Sequence, residues 1–369
     1  MALRPVLILT AGFGEGHNAA ARNLRDALRQ AHPDLSVEVL DIFHLAYGWV
    51  NGLSQRGYLF VINHLPGVWS LVFRWLHGSP VVSERMGVLR KAAALLRAAI
   101  DELQPGVIVS TYPGYNHLLD HIFDRVQQRS YRQITVVTDS ITINAVWHAG
   151  HSDFYLVANE PTAEVMRRDG VPVDKLRVTG FPVPPTFEAL LREKNPPAPG
   201  EKWRVLFMVN SGKRTAVQAL RELVRIEGID LAVTVGRDDR LMRRLRAIIR
   251  SSGKPVELYG WTDQLPRLIA ESHIVISKAG GATVQECLAL ASPMIVSQVV
   301  PGQEEGNARL IVDTGSGRIA ETPEAMVREL RCAMADDGAV WQGWHRMARL
   351  QSRPGASREM ADWILTLCQ

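Results

Sequence analysis

S-K-A-G-G-A-T-V-Q-E-C-L-A-L-A-S-P-M-I-V-S-Q-V-V-P-G-Q-E-E-G-N, residues 277–307, reads as a strand end, a glycine turn, a helix, a second strand and a polar loop. Ile274–Ser277 is a short β-branched run, and the small residues Ala279–Ala282 turn the chain into a helix expected to start at Thr283. Such a turn aims unpaired backbone N–H groups past the strand end. With about half an elementary charge on a helix N-terminus, phosphate is the natural guest there. Glu286 is expected on the first turn, where a carboxylate can accept two hydrogen bonds from a ribose diol. Thr283-x-x-Glu286 is also the spacing of a capping box, in which the two side chains only satisfy the helix's own first N–H groups, and both readings stand. Met294–Gln298 is read as the next strand, and its loop Val299–Asn307 carries Gln303, Glu304 and Glu305. Parallel strands put their C-terminal loops on one edge, so these groups are expected to face the crevice of the glycine turn, where amides and acids suit sugar hydroxyls. An ordinary polar surface loop is the alternative.

At 369 residues the chain exceeds the size at which one core keeps growing, so two domains are expected. Hydrophobic residues at 46% and charged residues at 22% fit a soluble globular protein. A net charge of +4 raises nucleic acid as a partner, but the basic residues look scattered along the chain and no nucleic-acid role is expected. Cys287, Cys332 and Cys368 have no metal-ligand spacing, and a reduced, cytoplasmic compartment is the simplest reading. Met1–Thr10 is too short an apolar run for a signal peptide. No segment offers about 18 uninterrupted apolar residues, so any lipid is met from the surface.

K-A-G-G-A-T-V-Q-E-C-L-A-L with P-G-Q-E-E-G-N downstream resembles the donor half of the two-domain GT-B glycosyltransferases. More closely it resembles the monogalactosyldiacylglycerol synthase and processive diacylglycerol glucosyltransferase family, a relative of the peptidoglycan transferase that makes lipid II. The resemblance implies an α/β fold of two Rossmann-like domains whose parallel sheets face a central cleft. It also implies that Gly280, Gly281 and Thr283 hold a nucleotide diphosphate, Glu286 the ribose, and Gln303 and Glu304 the transferred sugar.

Val6–Thr10 reads as a strand, followed by Ala11-Gly12-Phe13-Gly14-Glu15-Gly16-His17 and a helix to about Gln30. A dinucleotide fold opens similarly and would use an acid such as Asp41, but His17 occupies the place of the third glycine and the fingerprint is incomplete. A glycine turn ending in histidine resembles the acceptor loop of the lipid glycosyltransferases, with Gly14 and Gly16 in the loop. As a neutral imidazole His17 can take the proton of an attacking hydroxyl, and as imidazolium it can offset diphosphate charge; a capping or core histidine is the alternative. Ile42–Ile100 holds eight of the chain's 25 aromatic residues, among them Trp49, Trp69 and Trp75, and six basic residues against the single acid Glu84. That mixture suits a membrane interface with anionic headgroups, or equally a helical lid on the core. Gly106–Ser110, the helix Asn116–Gln128 and the strand Gln133–Thr138 continue a βαβ pattern. Asp139 at the strand end, with Trp147-His148 beyond it, lies near the acceptor in the family and is a second candidate base; its alternative is to cap the next turn.

Phe154–Ala158, the helix Pro161–Arg168 and Arg177–Val183 complete the first half. The proline-rich run Glu193–Gly200 reads as a linker, giving an acceptor domain over 1–190, a linker over 191–201 and a donor domain over 202–350. The second half restarts with Arg204–Val209 and the loop Asn210-Ser211-Gly212-Lys213-Arg214, poorer in glycine than is usual in the family. Ala232–Gly236 leads to Arg237 at the cleft edge, and the basic amphipathic helix Arg240–Arg250 reads as a solvated face. Glu257–Trp261 ends where the family places the nucleobase, so Trp261 is the expected base contact, with a core tryptophan as the alternative. Gly317–Ala320 and the helix Pro323–Ala335 close the sheet, and the final helix Ser357–Leu367, in 351–369, is expected to return to the first domain.

The expected activity is hexosyl transfer from a UDP-sugar to a lipid hydroxyl of diacylglycerol type, by an enzyme peripheral on the inner face of the cell membrane. No Asp-x-Asp triplet occurs in the chain, so no metal and no other cofactor is expected, and the departing diphosphate is left to backbone amides, a helix dipole and basic groups. One displacement with inversion is the family-level expectation. The rivals are a nucleotide-sugar 2-epimerase on the same architecture and a catalytically silent nucleotide-sugar sensor at a membrane.

Overall fold

A computed structural model describes residues 3–12, 15–48, 57, 89–123, 128–209, 213–302 and 304–368. The chain forms two compact units. The first holds Met1–Pro185, Pro301–Gly306 and Gly355–Gln369, and the second Thr186–Val300 and Asn307–Pro354.

In the first unit the strands β1 (Val6–Leu9), β2 (Val37–Leu40), β3 (Val107–Ser110), β4 (Arg132–Val136), β5 (Phe154–Val157) and β6 (Leu176–Val178) pair in the order β2-β1-β3-β4-β5-β6. All pairings are parallel, with Val6 opposite both Val37 and Val107. Every residue of β1 and β3 is buried, which is why V-L-I-L and V-I-V-S show no polar alternation: helices cover both faces. One face receives Ala21, Leu24 and Leu28 of the helix Glu15–Ala31 together with Met360 and Ile364 of the helix Ala356–Leu367. The other receives Leu96 and Ile100 of Arg90–Leu103 and Leu118 and Leu119 of Gly114–Ile122. That last helix is shorter than expected, ending at Ile122.

In the second unit β7 (Trp203–Met208), β8 (Ile229–Thr234), β9 (Val256–Tyr259), β10 (Ile274–Lys278), β11 (Met294–Gln298) and β12 (Gly317–Ile319) pair in the order β12-β11-β10-β7-β8-β9, again all parallel. Counted along the sheet, this is the doubly wound dinucleotide-fold order. Val205, Phe207, Val233 and Ile276 form its core with the helices Lys213–Leu223, Asp239–Ser252 and Pro323–Met334. The charged, proline-rich run beginning at Glu193 hides one surprise. Lys194 is buried, and its ammonium donates to Ile269 O (3.2 Å), Ser272 O (2.8 Å) and Ser292 Oγ (2.6 Å). Three acceptors match its three N–H donors, and without a neighbouring carboxylate burial lowers its pKa to about 7.

Candidate functional site

In each sheet the strand order reverses once, and at such a point the two flanking C-terminal loops diverge and leave a crevice. In the first unit the reversal lies between β1 and β3. There His17, the third residue of the helix Glu15–Ala31, meets Thr111, which follows β3. His17 is buried, its Nδ1 lies 2.8 Å from Thr111 O and 2.9 Å from Thr138 Oγ1, and Tyr112 stands edge-on to its ring at 5.3 Å. A carbonyl oxygen can only accept, so the Nδ1 contact places the imidazole proton on Nδ1. The Nε2 lone pair is left free, with no partner among the described residues. Burial lowers the pKa to about 4, against a smaller opposing effect of the Thr111 bond, so without a ligand the ring is neutral at pH 7. The side chain is indeed buried, as a core histidine would be, yet its second nitrogen is kept as an acceptor. Thr111, whose carbonyl fixes the tautomer, and Thr138, whose hydroxyl also meets Nδ1, carried no signal in the sequence beyond standing at strand ends.

Asp139, next to Thr138, does not cap a turn. Its Oδ2 accepts the indole N–H of buried Trp147 at 2.8 Å, and the Trp147 ring lies 6.0 Å from that of His17. Burial raises the Asp139 pKa to about 6 although the indole bond opposes it. Asp41, the acid that a dinucleotide fold would offer to ribose, accepts Gly12 N–H (3.1 Å) and His44 N–H (2.9 Å), one on each oxygen. It is thus a backbone clamp behind the glycine loop. Gly16 is the second residue of the helix; Gly14 lies outside the described residues. So does most of the aromatic-rich 42–100 segment, including Trp49, Trp69 and Trp75. Within its described part Phe43 is buried against Tyr115, at 4.9 Å between ring centroids.

In the second unit the reversal lies between β7 and β10, so the glycine turn after β10 and the loop after β7 share one edge. The helix begins at Gly281, two residues earlier than expected, with Gly280 as its N-cap and no side-chain cap bond. This removes the capping-box reading, because Thr283 is already the third helical residue. It also moves Glu286 to the second turn. Its carboxyl is largely enclosed by protein and has no compensating partner among the described residues, and burial raises its pKa to about 7. A group added at Gly280 would meet Lys278 Nζ at 3.2 Å, so the lysine amine lies over the turn. Lys278 was missed in the sequence, where its motif drew the eye to glycines. It lines a cleft of about 180 Å³ with Met208, Thr215, Gln298 and Glu321, at the C-terminal ends of β7, β10 and β11. Asn307 Nδ2 donates to Ala279 O at 3.1 Å and braces the turn from behind. At the end of β9, Trp261 is 66% exposed, which removes the core-tryptophan alternative, and the Arg237 guanidinium stacks over it at 5.1 Å. Glu304 is buried, whereas Gln303 and Gly212 lie outside the described residues.

Residues 17–183 match the family model described as monogalactosyldiacylglycerol (MGDG) synthase, and residues 214–336 that of the glycosyltransferase family 28 C-terminal domain. Monogalactosyldiacylglycerol synthase 2 of Arabidopsis thaliana is 27% identical over 348 residues, 88% of this chain and 72% of the relative. The processive diacylglycerol beta-glucosyltransferase of Bacillus subtilis is 24% identical over 356 residues, covering 93% and 89%. Among solved structures, Acinetobacter baumannii MurG has a TM-score of 0.62 at 13% identity, with 98% of this chain and 99% of that one covered. The UDP-GlcNAc 2-epimerase of Neisseria meningitidis has 0.61 at 14%, covering 98% and 100%; such likenesses speak for the fold alone. With a monogalactosyldiacylglycerol synthase model matched over 17–183, a glycosyltransferase family 28 C-terminal domain over 214–336, and relatives named for diacylglycerol glycosyl transfer aligned along most of its length, the chain is a glycosyltransferase similar to the monogalactosyldiacylglycerol synthases and processive diacylglycerol glucosyltransferases.

Proposed function

We propose that this glycosyltransferase moves a hexosyl group from a UDP-sugar to a lipid hydroxyl of diacylglycerol type, without a metal and with inversion. The observation that carries the reading is the tautomer of His17, whose Nδ1 proton is committed to Thr111 O while Nε2 stays unprotonated and unpartnered. In the proposed reaction Nε2 takes the proton of the acceptor hydroxyl as that oxygen bonds to the anomeric carbon. The bond from that carbon to the diphosphate oxygen breaks, and UDP leaves. Backbone N–H groups at Gly280 and Gly281, Thr283, and the Lys278 amine would stabilise the departing diphosphate. Glu286 would hold the ribose, Arg237 and Trp261 the base, and Gln303 and Glu304 the sugar, with Gly212 beside the phosphates. The first unit thus serves the acceptor and the second the donor. Metal independence rests on the lack of any Asp-x-Asp triplet in the sequence. Among the described residues no helix is long and apolar enough to cross a membrane. The proposed location is peripheral, on the inner face of the cell membrane.

The test is UDP release and glycolipid formation from UDP-sugars with diacylglycerol, read by mass spectrometry. His17→Ala is expected to lower kcat by about 10²–10⁴-fold, and Glu286→Ala to raise KM for the donor. Sugar epimerisation without acceptor would replace this reading with the epimerase, and tight UDP-sugar binding with no turnover on any lipid would replace it with the sensor. Full activity in both variants would refute the site.

A further inference from the structure

The basic residues look scattered along the whole chain, yet residues 213–254 hold eleven Lys or Arg against five Asp or Glu, a net +6 in a chain of net +4. The remainder is therefore slightly acidic. Folding concentrates this charge further. The helix Lys213–Leu223 packs beside Asp239–Ser252, and a shallow groove of about 1110 Å³ runs along them. Val217, Val224 and Ile248 give it an aliphatic floor, and Arg221 and Arg244 stand on its rim. Two other basic residues of the rim are neutralised, Arg225 by Glu222 at 2.9 Å and Lys254 by Glu227 at 2.7 Å. Arg221 and Arg244 have no ion-pair partner among the described residues, and neither do Arg240, Arg243, Arg246 and Arg250 of the same helix. All six are exposed on the second unit; Arg240 and Arg243 stand on the first turns of their helix, and Arg221 on the last turn of Lys213–Leu223.

We propose that this face binds an anionic lipid bilayer, as a membrane contact on the second unit in its own right. Unpaired guanidinium groups are weakly hydrated and suit phosphate oxygens, and an arginine-rich helix lying flat gains from a negatively charged surface. An aliphatic floor between the arginines accepts acyl carbons, whereas it offers no aromatic ring on which a nucleobase could stack. The inference does not depend on which sugar is transferred or to which lipid.

The full chain is sedimented with vesicles of 30% phosphatidylglycerol in phosphatidylcholine, with pure phosphatidylcholine vesicles, and with added single-stranded polyuridylate as competitor. Binding is expected only to the anionic vesicles and is lost in high salt. Each arginine near such a surface is worth about a factor of five, so Arg221→Gln/Arg244→Gln is expected to bind about thirtyfold more weakly. The charge-matched pair Arg331→Gln/Arg353→Gln is expected to stay within about twofold of the parent. Arg246→Gln/Arg250→Gln, on the same helix as Arg244 and farther from Arg237, supplies a second lesion should the first pair fail to fold, as judged by its thermal melt. The proposal is overturned if both kinds of pair lose binding equally, if the parent ignores anionic vesicles, or if polyuridylate displaces them. Glycosyl transfer measured on detergent-dispersed acceptor is expected to be the same in all these variants, so a failed membrane contact and a failed catalytic site give separate readouts.

Discussion

His17 shows how a single side chain is prepared by its neighbours. One carbonyl takes the Nδ1 proton and burial lowers the ring pKa to about 4, so above that pH Nε2 is unprotonated, as the proposed base role requires. If His17 is the base, the acid limb of kcat/KM falls near pH 4; a limb near 6 would transfer the role to Asp139. Thr138→Val removes one of the two Nδ1 contacts and is expected to lower kcat about tenfold through loss of ring orientation, with donor KM unchanged. Steady-state kinetics on both substrates separate that outcome from general damage. Glu286 carries the opposite sign in stability. Its folded-state pKa, about 7, lies above the unfolded value near 4.5, so its contribution is present below about pH 4.5 and is lost as pH rises through 7. Glu286→Gln is therefore expected to raise the ligand-free melting temperature at pH 8, to leave it nearly unchanged at pH 4, and to weaken donor binding.

At the scale of elements, the glycine turn and the edge strand are governed by backbone space. A Cβ at Gly317 would lie 1.8 Å from Met294 O, its neighbour across the β11–β12 pairing. Gly317→Ala must push the strands apart and is expected to destabilise the second unit by about 3 kcal/mol, the upper end for overpacking. A urea titration followed by tryptophan fluorescence measures it. The segment around Lys194 is held by one ammonium with three acceptors. Its folded-state pKa, about 7, lies below the unfolded value of 10.5, so stability rises as pH climbs from 7 towards 10.5. Lys194→Met leaves those acceptors unpaired, and its deficit relative to the parent is expected to widen between pH 7 and 10 in the same titration. The composition around Lys194 announced a solvated linker, and nothing in the sequence distinguished this lysine from an exposed one.

Across the whole molecule the last helix is the informative part. Met360, Ala361 and Ile364 are fully buried and complete the core of the first unit with residues of the helix Glu15–Ala31, more than 300 positions earlier. Ile364→Ala is expected to cost about 2–5 kcal/mol. A melt with separate probes for the two units should show the loss in the first one. That the chain would comprise two doubly wound units was legible early, because alternating buried β-branched runs and amphipathic helices admit few other layer arrangements. Most boundaries shifted by one to three residues, the helix Gly114–Ile122 ended six residues early, and one shift mattered for the site: the helix starting at Gly281 turned a capping pair into two residues with different surroundings.

Sequence alone determined the β-rich runs, the glycine turns after the first strand of the first unit and the fourth strand of the second, and the presence of His17, Asp139 and Glu286 among small residues. These are local properties, set by steric freedom and periodicity within a few residues. Only the tertiary structure decided the proton position on His17, the Trp147 bond to Asp139, the amine of Lys278 over Gly280 and the meeting of Arg221 and Arg244 at one groove. Each of these depends on which distant groups share a buried or crowded space. Desolvation and hydrogen-bond partnership are properties of that space and of no stretch of chain by itself.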